Sequence, residues 1–244
     1  MKGNKIMDCS GKIAVVTGGG TGYGYGMAQA LKARGARVWI TGRRREVLEK
    51  AAAELQVDYL PADVGSPADW DRLFAAVGPR LDILVNNAGG GIKIAPLTEQ
   101  DDAEILQSLH TNLLGAILGC KRAAQRMKTA RSGLIVNVSS ICAHYGWPNF
   151  SVYTAAKAGL DKFSRTLYTE LRPYNIRVTV VTPSWGSTEF SRAAGLPEAA
   201  PAAAAKMMSP AEMGRLIVRL CEFPEHLVFP EVMVQPLEQE IVPF

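Results

Sequence analysis

Three side chains of this sequence have the types and spacing needed for acid–base chemistry at a carbonyl group: Ser140, Tyr153 and Lys157. The tyrosine and the lysine are four residues apart in a helical pattern, so one helix face carries both. Free tyrosine has a pKa of about 10, and a neighbouring ammonium group favours the phenolate and lowers that pKa. Ser140 ends a buried strand and is positioned to hydrogen-bond the same substrate oxygen. These residues predict proton transfer at an oxygen atom, although a tyrosine and a lysine at this spacing also arise by chance in many helices.

A glycine-rich turn at the first strand–helix junction suggests a second kind of site. Residues 17–24 read TGGGTGYG and follow a short apolar strand. Glycines let the backbone turn tightly and approach a pyrophosphate, which then binds at the helix N-terminus. The strict G-x-G-x-x-G pattern and the G-K-[ST] of a P-loop do not occur at this turn. The turn alone therefore leaves two interpretations open, a dinucleotide site and an ordinary tight turn.

The end of the second strand bears on the type of dinucleotide. A site for NAD has an acidic residue near this position, where it binds the ribose 2′-hydroxyl. Here the chain has Gly42 followed by Arg43, and a guanidinium matches the 2′-phosphate of NADP. Arginines that only solvate a helix N-terminus are the alternative, but cations are disfavoured at that positive end. We therefore expect NADP(H) as cofactor, with NAD(H) less favoured.

The elements that must position these residues alternate along the chain. Apolar, β-branched runs at 12–17, 37–41, 57–60, 81–85, 134–138 and 177–181 predict strands, and helical patterns lie at 22–34, 45–55, 67–76, 99–129, 151–172 and near 210–221. This alternation predicts an α/β, Rossmann-type, doubly wound and mostly parallel seven-stranded sheet flanked by helices. We expect a single domain over residues 1–244. Residues 184–208, rich in glycine, proline and alanine, are expected to form a substrate lid or an exposed helical excursion.

Composition excludes several classes of partner. The 244 residues carry a net charge of +4, and the densest basic run, Arg43–Arg45, is too short for a nucleic-acid surface. The four cysteines and three histidines show no metal-ligand spacing, so we expect reduced thiols and no metal. The first twelve residues lack the apolar stretch of a signal peptide, and no apolar run reaches the length of a membrane span. A cytoplasmic protein is expected.

Taken together, these motifs resemble the short-chain dehydrogenase/reductase family, in its single-domain branch. The resemblance runs from Gly11 to about Val234. It implies an oxidoreductase that interconverts a carbonyl compound and its alcohol by hydride transfer. The T-G-x-x-x-G-x-G pattern falls on Thr17, Gly18, Gly22 and Gly24; the adenine-contacting residue on Asp63; the N-N-A-G motif on Asn86, Asn87, Ala88 and Gly89; and the catalytic set on Asn112, Ser140, Tyr153 and Lys157.

The resemblance also implies the roles of these residues. Tyr153 acts as general acid in reduction and as general base in oxidation, and Lys157 lowers its pKa and binds the nicotinamide ribose. Ser140 orients the carbonyl group, and Asn112 anchors a water molecule of the proton relay. The expected cofactor-binding residues are Thr17, Gly18, Gly20, Thr21, Gly22, Tyr23, Gly24, Arg43, Asp63, Val64, Asn87, Ala88, Gly89, Tyr153, Lys157, Pro183 and Thr188.

The chain departs from the family pattern near the substrate. Ser184 follows Pro183 where the family often has glycine, Tyr23 replaces an isoleucine, and Gly26 replaces an alanine. We expect a neutral, hydrophobic or aromatic substrate, because no lysine or arginine stands in the expected pocket wall. That wall comprises Gly90, Gly91, Ile92, Cys142, His144, Trp147, Trp185 and Phe190, with Gly91, Ser140, Cys142, Trp147, Tyr153 and Trp185 as substrate contacts.

Other functions on the same scaffold remain open at this stage. They are a cofactor-sensing regulatory protein without turnover, an NAD-dependent secondary alcohol dehydrogenase, and an isomerase or dehydratase. The complete set of catalytic residues argues against the sensor, because a sensor has no need of a proton relay. The resemblance further implies a homotetramer, or else a homodimer, formed through helices 99–129 and 151–172.

Overall fold

The computed structural model describes residues 8–90, 93–197 and 199–239, whose strands form one sheet. The strands are Ile13–Thr17 (β1), Arg37–Gly42 (β2), Asp58–Pro61 (β3), Ile83–Asn86 (β4), Gly133–Val138 (β5), Ile176–Pro183 (β6) and Glu231–Val234 (β7). This seven-stranded sheet has the order β3-β2-β1-β4-β5-β6-β7, and every neighbouring pair is parallel. The order runs outward from β1 in both directions, which confirms the predicted doubly wound, Rossmann-type fold.

Helices cover both faces of the sheet. They are Gly22–Ala33 (α1), Arg45–Leu55 (α2), Pro67–Val77 (α3), Asp102–Leu109 (α4), Gly115–Ala130 (α5), Ser151–Leu171 (α6), Phe190–Ala193 (α7), Pro201–Ala204 (α8) and Pro210–Cys221 (α9). Residues of α1, α2 and α9 form the core on one face, and residues of α3, α5 and α6 form it on the other. None of these helices is long and apolar enough to cross a membrane.

Adjacent residues of a strand enter opposite cores, which explains the continuously apolar strand sequences. Val15 of β1 packs with Trp70 and Phe74 of α3, whereas Val16 packs with the side chains of α1. Both valines are fully buried. Burying such a side chain contributes about 1.5–3 kcal/mol to folding. A sheet with both faces covered therefore needs no polar alternation in its central strands.

The predicted single helix over 99–129 is wrong in one respect. A short 3-10 turn at Leu97–Glu99 precedes α4, and a π-helical turn at His110–Leu114 separates α4 from α5. Asn112 lies in that turn, and its Nδ2 donates to the Ser108 carbonyl at 3.0 Å. In a regular α-helix that carbonyl would bond the backbone N–H of Asn112. The side chain thus takes over a backbone hydrogen bond where the helix widens.

The helices α1 and α9 approach each other through glycine. A Cβ added at Gly26 would lie 2.0 Å from the carbonyl oxygen of Pro210, the first residue of α9. A Cβ added at Gly214 would lie 2.3 Å from the Gly26 carbonyl oxygen. No side chain fits at such distances without backbone movement. This close contact requires glycine at both Gly26 and Gly214.

Residues 184–208 leave β6 and return close to their starting point. Gly186 and Met208 form a parallel β-bridge, and the Met208 N–H donates to the Trp185 carbonyl at 3.1 Å. The short helices α7 and α8 lie between these two ends. The two ends of the segment predicted to be a lid are therefore joined by backbone hydrogen bonds beside the carboxyl end of β6.

Candidate active site

A cleft of about 580 Å³ opens at the carboxyl ends of the strands. The loops that follow β1 to β6 all contribute to it, because the carboxyl ends of parallel strands meet at one edge of the sheet. Most of the predicted site residues line this cleft: Gly18, Gly20, Thr21, Gly22, Tyr23, Arg43, Asp63, Val64, Asn87, Ala88, Gly89, Ser140, Cys142, Trp147, Tyr153, Lys157, Pro183, Trp185 and Thr188.

Ser140, Tyr153 and Lys157 share one wall of the cleft. Ser140 begins the short turn after β5, and its Oγ accepts a hydrogen bond from the Cys142 N–H at 3.2 Å. Tyr153 and Lys157 lie on α6, and both are buried. Nζ of Lys157 donates to the Val138 carbonyl at 2.9 Å and lies 5.7 Å from the centre of the tyrosine ring. The end of β5 therefore fixes both the serine and the lysine.

Burial controls the protonation of this pair. It raises the pKa of Tyr153, the neighbouring Cys142 raises it further, and hydrogen bonding with Ser140 lowers it. Burial lowers the pKa of Lys157 to about 8, and Asp161 and Cys142 oppose that change. The sequence predicts the opposite direction for Tyr153. The difference arises because loss of hydration outweighs the effect of the ammonium, which is held toward Val138.

Asn112 lies behind the cleft wall. Its Oδ1 accepts from the Gly90 N–H at 3.1 Å, and its Nδ2 contacts the Gly90 carbonyl at 3.3 Å. A Cβ added at Gly89 would lie 3.1 Å from Oδ1 of Asn112 and 3.7 Å from Nζ of Lys157. The asparagine and the lysine therefore both abut Gly89. The π-helical turn presents Asn112 to the loop after β4.

Two predicted cofactor residues support the glycine turn from behind and do not line the cleft. Oγ1 of Thr17 accepts hydrogen bonds from the N–H groups of Asn87 at 2.9 Å and Ala88 at 2.8 Å. A Cβ added at Gly24 would lie 2.0 Å from the Gly18 carbonyl oxygen. Thr17 thus joins the turn to the N-N-A-G loop, and Gly24 allows α1 to start directly behind the turn.

The glycine turn can hold a phosphate group. Gly18 and Gly22 have φ values of +65° and +52°, a conformation that favours glycine. The side chain of Thr21 makes no capping hydrogen bond, and the first turn of α1 has no acidic residue. The N–H groups at this helix end are therefore free of a side-chain cap and open toward the cleft, with the positive end of the helix dipole behind them. The arrangement fits a dinucleotide pyrophosphate.

Arginines line the opposite end of the cleft. The sequence selects Arg43, and Arg44 lines the cleft as well. Nη2 of Arg44 lies 3.1 Å from Oε2 of Glu189 and 3.5 Å from Oγ1 of Thr21. Arg44 therefore reaches from the turn after β2 to the segment after β6. The run of three arginines marks this region, but the sequence does not indicate the ion pair with Glu189.

The part of the cleft where the sequence predicts the substrate is largely aromatic. Trp147, Trp185 and Phe190 line it, and the ring of Phe190 lies 5.6 Å from that of Tyr153. Phe150, Leu196 and Met207 add apolar surface that the sequence does not indicate. Gly91 and Ile92, which the sequence places in this wall, lie outside the described residues.

His144 does not belong to the substrate wall. Its Nε2 lies 2.7 Å from Oε1 of Glu231 on β7, and the residue does not line the cleft. The imidazole of His144 does not face the cleft, because its carboxylate partner Glu231 lies on β7, outside the cleft. Among the described residues that line the cleft, the cations are Arg43, Arg44 and Lys157.

The C-terminal segment also reaches the cleft. Oε1 of Gln239 accepts a hydrogen bond from the Trp185 N–H at 3.1 Å, and Gln239 lines the cleft. Nζ of Lys206 and Oε2 of Glu238 lie 2.5 Å apart and hold the same segment against the lid. The chain's own tail thus contacts the lid beside Trp185.

Comparison with known proteins agrees with this geometry. The family model of the short chain dehydrogenases matches residues 12–198 of the chain. The chain belongs to the short-chain dehydrogenase/reductase family. This family is one of oxidoreductases, so the fold and the broad class of activity that the sequence predicts are both confirmed.

Relatives within the short-chain dehydrogenase/reductase family include two vertebrate reductases. A 3-oxoacyl-(acyl-carrier-protein) reductase of Homo sapiens is 36% identical over 189 residues, which cover 74% of this chain and 78% of the relative. Carbonyl reductase family member 4 of Danio rerio is 33% identical over 222 residues, 87% of this chain and 92% of the relative. The closed form of a serine dehydrogenase complexed with NADP+ superposes with a TM-score of 0.85 at 26% identity, covering 95% of this chain and 98% of that one.

Proposed function

We propose that this chain is an NADP(H)-dependent reductase of ketones or aldehydes, which also catalyses the reverse oxidation of the alcohols. The observation that carries the proposal is the grouping of Ser140, Tyr153 and Lys157 on one wall of a cleft that also contains the glycine turn. The nicotinamide group, when bound, supplies the hydride for reduction and accepts it in oxidation. The remaining chemistry is the delivery and removal of one proton.

Tyr153 is the proton donor to the carbonyl oxygen. Burial raises its pKa, so the hydroxyl is protonated at neutral pH and available to donate. Ser140 donates a second hydrogen bond to the same oxygen, which stabilises the negative charge that develops there. In the oxidative direction the same tyrosine, as phenolate, accepts the proton of the alcohol.

Lys157 stabilises the phenolate and contacts the bound ribose. One of its protons is engaged by the Val138 carbonyl, which leaves the other two for the cleft. Asn112 and Lys157 both abut Gly89, and this supports a water molecule between them as the route by which a proton returns to Tyr153. Asn112 positions that water and does not touch the substrate.

Selectivity for NADP(H) comes from the end of β2. Gly42 leaves room where an acidic side chain would repel a phosphate, and Arg43 and Arg44 line the same part of the cleft. A charge-assisted hydrogen bond contributes about 1.5–3 kcal/mol, which corresponds to about a tenfold to hundredfold preference. The NADP+ complex of the serine dehydrogenase structure supports this assignment by similarity.

The substrate is neutral and hydrophobic. The ring of Phe190 lies 5.6 Å from that of Tyr153, and Trp147 and Trp185 line the same cleft. Lys157 is the cation near Tyr153 among the described lining residues, and its two remaining protons are assigned to the phenolate and the ribose. A substrate carboxylate would therefore have no cation of its own there, and its burial would cost several kcal/mol. A ring-bearing ketone can instead pack against the tryptophans.

A paired substrate panel tests this proposal. Matched ketones, one neutral and one carboxylated, are assayed with NADPH by loss of absorbance from the reduced nicotinamide. We expect turnover of the neutral member, with kcat/KM well above that of the carboxylated one. Turnover of neither class would contradict the reductase assignment, and a preference for the carboxylated member would contradict the substrate assignment alone.

A further inference from the structure

A cluster of three side chains from separate elements lies outside the dinucleotide cleft. His144 belongs to the loop after β5, Asp161 to α6 and Glu231 to β7, and none of them lines the cleft. One nitrogen or oxygen atom from each lies within 4.8 Å of the others. Nε2 of His144 is 3.4 Å from Oδ2 of Asp161 and 2.7 Å from Oε1 of Glu231. The three side chains converge on one point.

Asp161 indicates that a partner is missing from this point. The residue is 7% exposed, and among the described residues neither of its carboxylate oxygens has a hydrogen-bond donor. Burial raises the pKa of Asp161, and the nearby Ser139 hydroxyl lowers it only in part, since it is not aligned as a donor. A buried carboxylate without donors is costly, and a bound cation removes that cost.

Glu231 is already oriented toward the same point. Nη2 of Arg165 lies 2.6 Å from Oε2 of Glu231, and Oγ1 of Thr182 donates to Oε1 at 3.2 Å. These contacts fix the carboxylate with Oε1 facing His144. With a neutral imidazole, Glu231 is paired with the Arg165 guanidinium. Asp161, which the Lys157 ammonium affects electrostatically, is a carboxylate without a hydrogen-bond donor among the described residues. Such a site can accept a divalent cation.

We propose that His144, Asp161 and Glu231 bind one divalent transition-metal ion, for which Zn²⁺ is the suitable probe. One imidazole nitrogen and two carboxylate oxygens form a donor set that Zn²⁺ accepts, with water as fourth ligand. Ligand atoms around a tetrahedral Zn²⁺ lie about 3.3 Å apart. The 3.4 Å between Nε2 of His144 and Oδ2 of Asp161 matches this spacing, and the 2.7 Å between Nε2 and Oε1 of Glu231 must widen when the ion binds. His144 then presents the lone pair of Nε2 and carries its proton on Nδ1.

The bound metal ion connects the loop after β5, which carries Trp147, to helix α6, which carries Tyr153 and Lys157. His144 lies on the loop that begins at Ser140 and carries Trp147, and Asp161 lies one turn beyond Lys157 on α6. Glu231 adds the edge strand β7. The imidazole and the glutamate are each about a quarter exposed, at 27% and 22%, so the ion can enter from solvent. The ligands are far apart in sequence, which is why spacing alone predicts no metal.

Calorimetric titration of the metal-stripped full chain with Zn²⁺ tests the proposal. We expect one saturable site per chain, and binding weaker by at least about a hundredfold in His144→Gln, Asp161→Asn and Glu231→Gln. The matched control is His226→Gln, a histidine away from the cluster, which keeps wild-type affinity. Zn²⁺ also raises the thermal midpoint of the wild type and the control, but not that of the ligand variants.

Two further measurements separate loss of the metal site from misfolding and from binding by a thiolate. Circular dichroism checks the fold of each variant. If the Asp161→Asn chain does not fold, the His144→Gln variant provides the test, because His144 is partly exposed and its substitution disturbs the core less. Spectra with Co²⁺ as substitute ion distinguish nitrogen and oxygen ligands from the thiolate of nearby Cys142. The absence of saturable binding, binding unchanged in His144→Gln, or a thiolate charge-transfer band would each overturn the proposal and leave an ion-pair network only.

Discussion

Burial acts on Tyr153 and Lys157 in the same sense, because it favours the uncharged form of each. It raises the pKa of the tyrosine and lowers that of the lysine to about 8. At neutral pH the tyrosine therefore holds its proton while the lysine still carries its charge. This is the combination that reduction requires, since the donor must be protonated and its product phenolate stabilised.

The pH profile of the reductive reaction tests these protonation states. Lys157 is the first of the two to lose its proton, and Asp161, Cys142 and Tyr153 are the ionisable groups near it. We expect kcat/KM with NADPH to stay level below pH 7 and to fall as the pH rises through about 8. Oxidation of the alcohol rises with pH instead, because it needs the phenolate. A reductive profile that is flat to pH 10 would contradict the role of Lys157.

The cofactor preference depends on two neighbouring residues. The double substitution Gly42→Asp and Arg43→Leu adds a carboxylate for the ribose 2′-hydroxyl and removes a phosphate ligand. Among the described residues, the heavy atom within 4 Å of a Cβ at Gly42 is Cδ2 of Leu48, at 3.8 Å, so the Cβ of an aspartate has room. We expect the ratio of kcat/KM for NADPH over NADH to fall by about tenfold to a hundredfold.

The third arginine of the run supplies the control. Arg45 does not line the cleft and pairs with Glu49 along α2 at 3.5 Å. Arg45→Leu removes the same charge without touching the cofactor region, so it leaves the ratio unchanged. An equal loss of NADPH preference in Arg45→Leu would mean that general electrostatics, and not Arg43, sets the preference.

At the scale of elements, the sequence predicts those features that depend on local patterns. Apolar runs predict the strands. The glycine turn and the Tyr153–Lys157 spacing predict most of the residues that line the cleft. The π-helical turn at Asn112 is missed, because one extra residue in a helical turn barely changes the hydrophobic period. The orientation of His144 is missed for another reason, since its partner Glu231 comes from a distant strand.

The contact between α1 and α9 leaves no room for a side chain at Gly26. Gly26→Ala places a methyl group 2.0 Å from the Pro210 carbonyl oxygen, so the helices must separate. We expect a loss of about 1–3 kcal/mol, seen as a fall of several degrees in the thermal midpoint. Gly146→Ala is the matched control, because a Cβ there meets nothing within 4 Å. Equal midpoints for the two variants would contradict the packing argument.

For the whole molecule, the family resemblance implies assembly of several chains through the helical regions 99–129 and 151–172. Leu106 on α4 lies in the first of these regions and is 55% exposed, so an interface there would cover it. We propose a homotetramer, with a homodimer as the alternative, and expect light scattering at micromolar concentration to give the mass of four chains or of two. A stable monomer would contradict the proposal.

Tyr153 transfers the proton in the proposed NADPH-dependent reduction. This role is tested by comparing the wild type, Tyr153→Phe and Tyr168→Phe, the last on the same helix but outside the cleft. Turnover of a neutral ketone and binding of NADPH, followed by nicotinamide fluorescence, are measured for each. We predict that Tyr153→Phe binds NADPH with near wild-type affinity and loses turnover by at least about a hundredfold, while Tyr168→Phe keeps both. Turnover by Tyr153→Phe close to that of the wild type would contradict the account.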